Sequence, residues 1–489
     1  MEFHRLNLGF LCTILLIMVC VLGVDGHGGM PAILRKNRLH RNLRRFRITD
    51  SHVPSTSLVS YNYTQVLDHF GYTPESYQTF PQRYFMDKSH WGGAQNNSSI
   101  FVWLGEEQEI TNDLGMGIIK EQAPKFKALV VYIEHRYYGT SMPFGGEKQA
   151  HANASTMGYF TSTQALADYA TVIVDLKKKL RAENCPVVVF GGSYGGMLAA
   201  WFRLKYPHLA IGALASSAPI LYFDSIVPTY GYGSVVTKDF RDVSEICYRR
   251  VNESWDLITK IASSHQGLLN LSKIFNTCQN LKNRDELYDV LVSMYEEAAQ
   301  YDFQQVQGIC KAINSQPGHA DTVSRIAAAA KYAYGPECVN LTSEEDSDPG
   351  WSWQNCTELV MLTNNPPGKT MLPPDHYDIN SYLRDCYHRF GVMPRQHWAT
   401  TEFGGHDIKK VLKDFGSNII FSNGLRDPWS SGGVLESISE SIVAIPTKEG
   451  THCQDIVQST KDDPVWLKEQ RRKEIMIIQK WINDYKNNL

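Results

Sequence analysis

The chain has 489 residues, 43% of them hydrophobic and 20% charged, which excludes a mainly disordered protein and leaves room for two or three domains or one large decorated one. The formal net charge is −3, and residues 1–54 hold eight Lys/Arg against three Asp/Glu, so the body beyond them is acidic. An acidic body argues against nucleic acid as the main partner.

The N-terminus has a basic start and an uncharged apolar run from Leu8 to Val24, with small residues near Gly23 and Gly26. That pattern predicts a secretory signal peptide over 1–26; a signal anchor is the alternative, since the run nears the shortest length that spans a bilayer. No later stretch is long and apolar enough to span, so no stable membrane anchor is expected. The basic segment 27–54 reads as a propeptide or a disordered arm.

From about residue 55 the pattern alternates strands and helices up to about 225. "SIFVWLG" (99–105), "ALVVYIEH" (128–135) and "PVVVFG" (186–191) are short, nearly continuous apolar runs, as strands of a parallel sheet covered on both faces require. "STQALADYATVIVDLKKKL" (162–180) has helical spacing, with Ser162 or Thr163 as its cap. Residues 226–410 are mostly helical in pattern and hold Cys247, Cys278, Cys310, Cys338, Cys356 and Cys386. Six cysteines in an oxidising compartment pair in one of fifteen ways. Cys185 and Cys453 stand apart. Strand patterns return in "SNIIFSNG" (417–424) and "SIVAIP" (441–446), and an amphipathic helix closes the chain. The expected fold class is α/β: a core of 55–225 and 411–489 with a disulfide-bonded helical cap inserted between them. Sequons at Asn62, Asn96, Asn97, Asn153, Asn252, Asn270, Asn340 and Asn355 agree with a secreted glycoprotein.

One motif carries chemistry. Gly191-Gly192-Ser193-Tyr194-Gly195 fits G-x-S-x-G between a predicted strand and a predicted helix. A strand that turns sharply into a helix strains its apex residue, and small neighbours avoid the clash. The apex hydroxyl then projects above the sheet at a helix N-terminus, where N–H groups favour developing negative charge. Tyr194 would supply one oxyanion N–H. A serine nucleophile needs a base oriented by a carboxylate, here expected in the order Ser, Asp, His. Asp427 follows a late strand and His452 follows the next one. Neither a metal nor a cofactor is expected, because the sequence carries neither a C-x-x-C nor an H-E-x-x-H pattern.

At "QVLDHF" (65–70), "EHRYYGTSMPF" (134–144), "FGGSYGGMLAAWFRLKYP" (190–207), "SSAPI" (216–220), "WQNCTELVM" (353–361), "SNGLRDPW" (422–429) and, more loosely, "GTHCQD" (450–455), the chain resembles the S28 family of serine peptidases. It looks nearest the Pro-Xaa carboxypeptidase branch, with the dipeptidyl peptidase II branch next. The resemblance implies an α/β-hydrolase core under a helical cap and exopeptidase action on peptides with proline at P1, in a lysosome, vacuole or outside the cell. It places Ser193, Asp427 and His452 on the triad and Met197, Met361 and Trp429 on positions lining the proline pocket. It pairs Cys247 with Cys310, Cys278 with Cys338 and Cys356 with Cys386. The family commonly has Gly-Asn-Glu-Gly where this chain has Gly105-Glu106-Glu107-Gln108, so the second oxyanion N–H falls to Glu106 or Glu107. Cys453 and Val457 stand where the branch often has a histidine and an arginine. Glu107 and Glu358 are acids near the site by motif position; they keep a dipeptidyl peptidase reading open, and a secreted esterase or lipase shares the fold. A homodimer is left open.

Overall fold

A computed structural model describes residues 57–341, 349–375 and 379–489. The expected signal peptide and basic arm lie outside the described residues. Strands β1 (Leu58–Val66), β2 (Thr79–Asp87), β3 (Ile100–Leu104), β4 (Leu129–Ile133), β5 (Val187–Gly192), β6 (Gly212–Ser216), β7 (Ile419–Gly424) and β8 (Ile442–Thr447) form one sheet in the order β1-β2-β4-β3-β5-β6-β7-β8. β2 runs antiparallel to both β1 and β4. From β4 to β8 all pairs are parallel. This is an α/β-hydrolase sheet. The antiparallel edge was not expected: β1 is largely exposed, and its polar alternation differs from the apolar runs of the centre.

Numbering helices of eight or more residues, α1 (Gly117–Phe126), α2 (Ser162–Leu180) and α3 (Ser193–Lys205) precede β6. Between β6 and β7 come α4 (Gly231–Val243), α5 (Glu245–Ala262), α6 (His265–Ile274), α7 (Arg284–Tyr301), α8 (Phe303–Asn314), α9 (Thr322–Tyr334), α10 (Pro349–Thr357), α11 (Ile379–Phe390) and α12 (Ile408–Phe415). Helix α13 (Val465–Asn487) follows β8. Thr161, one residue before the expected caps, closes the N-terminus of α2 by accepting from the N–H of Gln164.

Parallel strands buried on both faces require apolar side chains at every position. Phe101, Trp103, Val188, Phe190, Leu214 and Ile420 form one face and pack on Ile478, Trp481 and Ile482 of α13. The alternate residues Val102, Val131, Val189 and Phe421 are equally buried and face the other layer. Disulfides join Cys247–Cys310, Cys278–Cys338 and Cys356–Cys386 across 63, 60 and 30 residues. Loops of that length each restrict the unfolded chain by about 3–4 kcal/mol in the chain-entropy account. Cys185 and Cys453 are free thiols. Among the described residues no helix is long and apolar enough to cross a membrane.

Of the sequon asparagines, Asn62, Asn96, Asn153, Asn252, Asn270 and Asn340 are exposed and Asn97 is half-buried. Asn355 corrects the sequence reading. It is 0% exposed inside α10, its amide donates to the carbonyl of Trp351, and its own carbonyl accepts from the Tyr382 hydroxyl. The folded chain has no room for a sugar there.

The deepest ion pair joins the sheet to α2. Arg136, just beyond β4, donates through Nε to Asp168 Oδ2 at 2.7 Å and through Nη2 to Oδ1 at 2.6 Å, both residues being fully buried. Its Nη1 reaches the carbonyls of Leu67 and Tyr159. Removing one partner strands a buried charge at a cost of about 3–5 kcal/mol. Arg136→Met should therefore lower the denaturant midpoint by that equivalent. A loss below about 1 kcal/mol would show that the pair contributes little beyond packing.

Candidate active site

β5 runs straight into α3, and the junction is Ser193, with φ of 54°. That left-handed backbone is tolerated because the flanking glycines allow contacts no side chain could. A Cβ on Gly191 would lie 2.0 Å from the carbonyl oxygen of Gly195, and one on Gly196 would lie 2.6 Å from that of Ser216. The first N–H groups of α3 have no acceptor within the helix. At that end of the helix the dipole favours an anion.

Asp427 leaves the turn after β7 and His452 the turn after β8. Their approach is again made by glycine: a Cβ on Gly424 would sit 2.3 Å from the backbone of Gly450. The N–H of Arg426 donates to the Gly450 carbonyl at 3.0 Å, locking the two turns together. Asp427 is fully buried. Its Oδ1 accepts from the N–H of Trp429 at 3.0 Å, and its Oδ2 accepts from His452 Nδ1 at 2.7 Å. This bond puts the proton on Nδ1 and leaves Nε2 as the basic nitrogen. The base loop is pinned to the elbow next door. The N–H of Cys453 donates to Ser217 Oγ at 2.9 Å, and a Cβ on Gly192 would lie 3.0 Å from Cys453 Sγ.

Sequence reasoning missed part of the support for the base. The N–H of His452 donates to the carbonyl of Gln300 at 2.8 Å, and Thr451 Oγ1 donates to that of Tyr301 at 3.3 Å. These are the last two residues of α7, whose terminal carbonyls have no intrahelical donor. The Tyr301 ring meets the His452 ring edge-on at 5.6 Å. Nothing in the spacing of residues 284–301 announces this role.

The loop after β3 holds Glu106 and Glu107. Tyr169 donates its hydroxyl to the Gly105 carbonyl at 2.9 Å and fixes the loop over the first turn of α3. The Glu106 carboxylate turns inward, accepting from Gln108 Nε2 at 3.0 Å and, at 3.5 Å, from the N–H of Gly195. An acid therefore lies beside the elbow. Met197 sits one turn along α3, Met361 lies just after α10, and Trp429 lies beside Asp427 against Tyr222 and Tyr232; all three are buried.

Glu358 directly follows α10 and is hydrogen-bonded to Gln354, which itself reaches the Tyr194 hydroxyl. It is 3% exposed, and its Oε1 accepts from the N–H of Ser162 at 2.7 Å, at the start of α2. Burial pushes its carboxyl up to about 8 against the opposing hydrogen bonds of Ser162 and Gln354. Burial also raises Asp455, beneath the His452 loop, and Glu474 on α13. Their Oδ1 and Oε1 atoms are held by the hydroxyls of Ser216 and Ser422, which are register partners on β6 and β7.

With its mostly parallel sheet, its serine at a strained strand-to-helix junction and its buried carboxylate–histidine pair beyond the ends of the last two strands, the molecule is a serine hydrolase of the α/β-hydrolase class. Comparison with known proteins narrows the class. The serine carboxypeptidase S28 family profile matches residues 65–474, and the chain belongs to that family. It is 36% identical over 455 residues to lysosomal Pro-X carboxypeptidase of Mus musculus, covering 87% of this chain and 90% of that protein. The Homo sapiens protein of the same name is 34% identical over 470 residues, covering 89% and 92%. Prolyl carboxy peptidase like protein 5 of Caenorhabditis elegans is 30% identical over 466 residues, covering 86% and 89%. Among solved structures, proline iminopeptidase of Mycobacterium smegmatis aligns with 87% of this chain and 98% of its own at 12% identity and a TM-score of 0.37.

The buried carboxyls set a direction for stability against pH. Glu358 keeps its proton in the fold up to about 8, whereas an unfolded glutamate loses it near 4.5. The fold therefore binds more protons than the unfolded chain between those values, and stability falls as pH rises through them. Asp455 and Glu474 act in the same direction. The Tm should fall from pH 5 to pH 8, and Glu358→Gln, which removes one titrating group, should flatten that slope in parallel thermal scans. An unchanged slope in the variant would show that Glu358 does not carry it.

Proposed function

We propose that this chain is a Pro-Xaa-type serine carboxypeptidase, working in the acidic lumen of the secretory route. Ser193 Oγ attacks the carbonyl after proline while His452 Nε2 takes its proton. The N–H of Tyr194 and one from the Glu106–Glu107 loop hold the oxyanion. His452 then returns the proton to the departing amine, and water hydrolyses the acyl-enzyme by the same steps. Asp427 keeps the imidazole in the required tautomer. The observation that carries this reading is the 2.7 Å bond from His452 to the buried carboxylate of Asp427, on a loop pinned beside the Ser193 elbow. The names of the similar proteins support proline at P1. So does the makeup of Met197, Met361 and Trp429, since thioethers and an indole suit a flat apolar ring.

A dipeptidyl peptidase reading keeps one observation in its favour. The Glu106 carboxylate, where the family commonly has asparagine, is an acid beside the elbow that would suit a substrate's free amine better than its free carboxylate. Paired assays decide between the two. A peptide with a blocked N-terminus and a free C-terminal Pro-Xaa should be cut, and a peptide with a free N-terminal Xaa-Pro and a blocked C-terminus should not. The reverse pattern assigns the dipeptidyl activity. Rapid turnover of nitrophenyl esters with neither peptide cut assigns an esterase. Ser193→Ala should lower turnover by about 10⁴-fold or more, as removal of an activated serine does. Asp427→Asn should lower kcat by about 10⁴-fold, with KM little changed.

A further inference from the structure

Two motifs that the triad leaves unused, "EHRYYG" after β4 and "WQNC" in α10, meet at one atom, the hydroxyl oxygen of Tyr194. His135 is fully buried and its Nδ1 lies 2.6 Å from the Arg136 carbonyl, so that nitrogen carries the proton. Burial lowers the ring to about 4, which keeps it neutral. Its Nε2 can then only accept, and the Tyr194 hydroxyl 3.1 Å away must donate to it. The phenol oxygen in turn accepts from Gln354 Nε2 at 2.8 Å. The same amide nitrogen reaches Glu358 Oε1 at 3.3 Å, and Gln354 Oε1 accepts from the Tyr138 hydroxyl at 2.9 Å.

Gln354 thus donates to a phenol and to a carboxyl while accepting from a second phenol. Among side chains of that length only a primary amide does all three. A glutamate there would set two carboxyls against each other, and a methionine would leave the phenol oxygen without its donor. The Tyr194 ring is clamped as well, with His135 at 5.6 Å and Trp351 at 5.5 Å between ring centres.

Tyr194 directly follows the strained serine. A left-handed apex persists only where its surroundings over-determine it, and an oxyanion N–H works only where it is held in place beforehand. We propose that Gln354 and His135 are positioning residues for the oxyanion-holding N–H of Tyr194. The helical insertion reaches through Gln354 to the tyrosine's hydroxyl and holds the first turn of α3 in its reactive geometry. This rests on the reading of Ser193 as nucleophile and of Tyr194 N–H as oxyanion donor.

The test uses Tyr194→Phe, which keeps the ring packing and removes only the hydroxyl, and Gln354→Met, which keeps the length and removes the amide. Each is measured on a Pro-Xaa peptide and on a nitrophenyl ester. Each is also measured for inactivation by a fluorophosphonate, whose addition to Ser193 builds the same oxyanion whatever the substrate class. Both variants should lose roughly tenfold to a hundredfold in kcat and in the inactivation rate, less than outright loss of an oxyanion donor. KM should stay within about twofold, because the interaction acts on the transition state. Either variant keeping wild-type kcat and inactivation rate, or raising KM alone, overturns the proposal. If Gln354→Met fails to fold, Tyr194→Phe alone decides. Ser193→Ala separates the two levels: turnover retained in that variant sinks the nucleophile and this inference together, whereas loss of turnover there with wild-type behaviour in the other two sinks only the positioning role.

Discussion

Ser193 holds φ at 54°, a conformation that costs a residue with a side chain on the order of 1–3 kcal/mol unless its surroundings impose it. The rest of the core is arranged to impose it. Glycines at 191, 195 and 196 let α3 fold back onto β5 and against the ends of β3 and β6, with backbone meeting backbone where any Cβ would intrude. That approach fixes where the first turn of α3 lies. It therefore fixes where the N–H groups point and which neighbouring loops can touch them. The loops after β3, β6 and β8 press against this junction, where a Cβ on Gly195, Gly196 or Gly192 would meet Glu106, Ala218 or Cys453.

The helical insertion is commonly pictured as a cover that restricts entry. Here it also makes hydrogen bonds on two sides, to the His452 loop and to Tyr194. On one side the last carbonyls of α7, unused within their own helix, are taken up by the backbone of His452 and the hydroxyl of Thr451. On the other, α10 delivers Gln354 to Tyr194. Three disulfides lie within this insertion: Cys247–Cys310 ties α5 to α8, Cys278–Cys338 joins the segments after α6 and α9, and Cys356–Cys386 ties α10 to α11. Moving the insertion away would break hydrogen bonds to both the His452 loop and Tyr194.

The elements legible in the sequence were those that local rules govern. Apolar runs gave β3, β4, β5 and β7 because strands buried on both faces have no alternative composition. The elbow was legible because strain selects glycine, and Asp427 and His452 because the fold orders them along the chain. The antiparallel β1–β2 edge was missed, since an exposed strand carries no continuous apolar signal. The bond from the N–H of Ser162 to Glu358 was not legible, because it joins residues nearly two hundred positions apart. Gln354 and Gln300 were invisible because one acts through a partner's hydroxyl and the other through its backbone. No residue type announces either role.

The burial of Asn355 has a consequence for how this protein is made. The triplet Asn355-Cys356-Thr357 satisfies the sugar-transfer rule on an extended chain, yet in the fold its asparagine is sealed in α10, beside a cysteine bonded to Cys386. An oligosaccharide attached during synthesis could not be accommodated afterwards, and the chain carrying it would be unable to close that helix over Tyr382. A sugar on Asn355 and the folded α10 therefore exclude each other. The Cys356–Cys386 bond, which spans 30 residues, holds α10 to α11 right beside the buried asparagine.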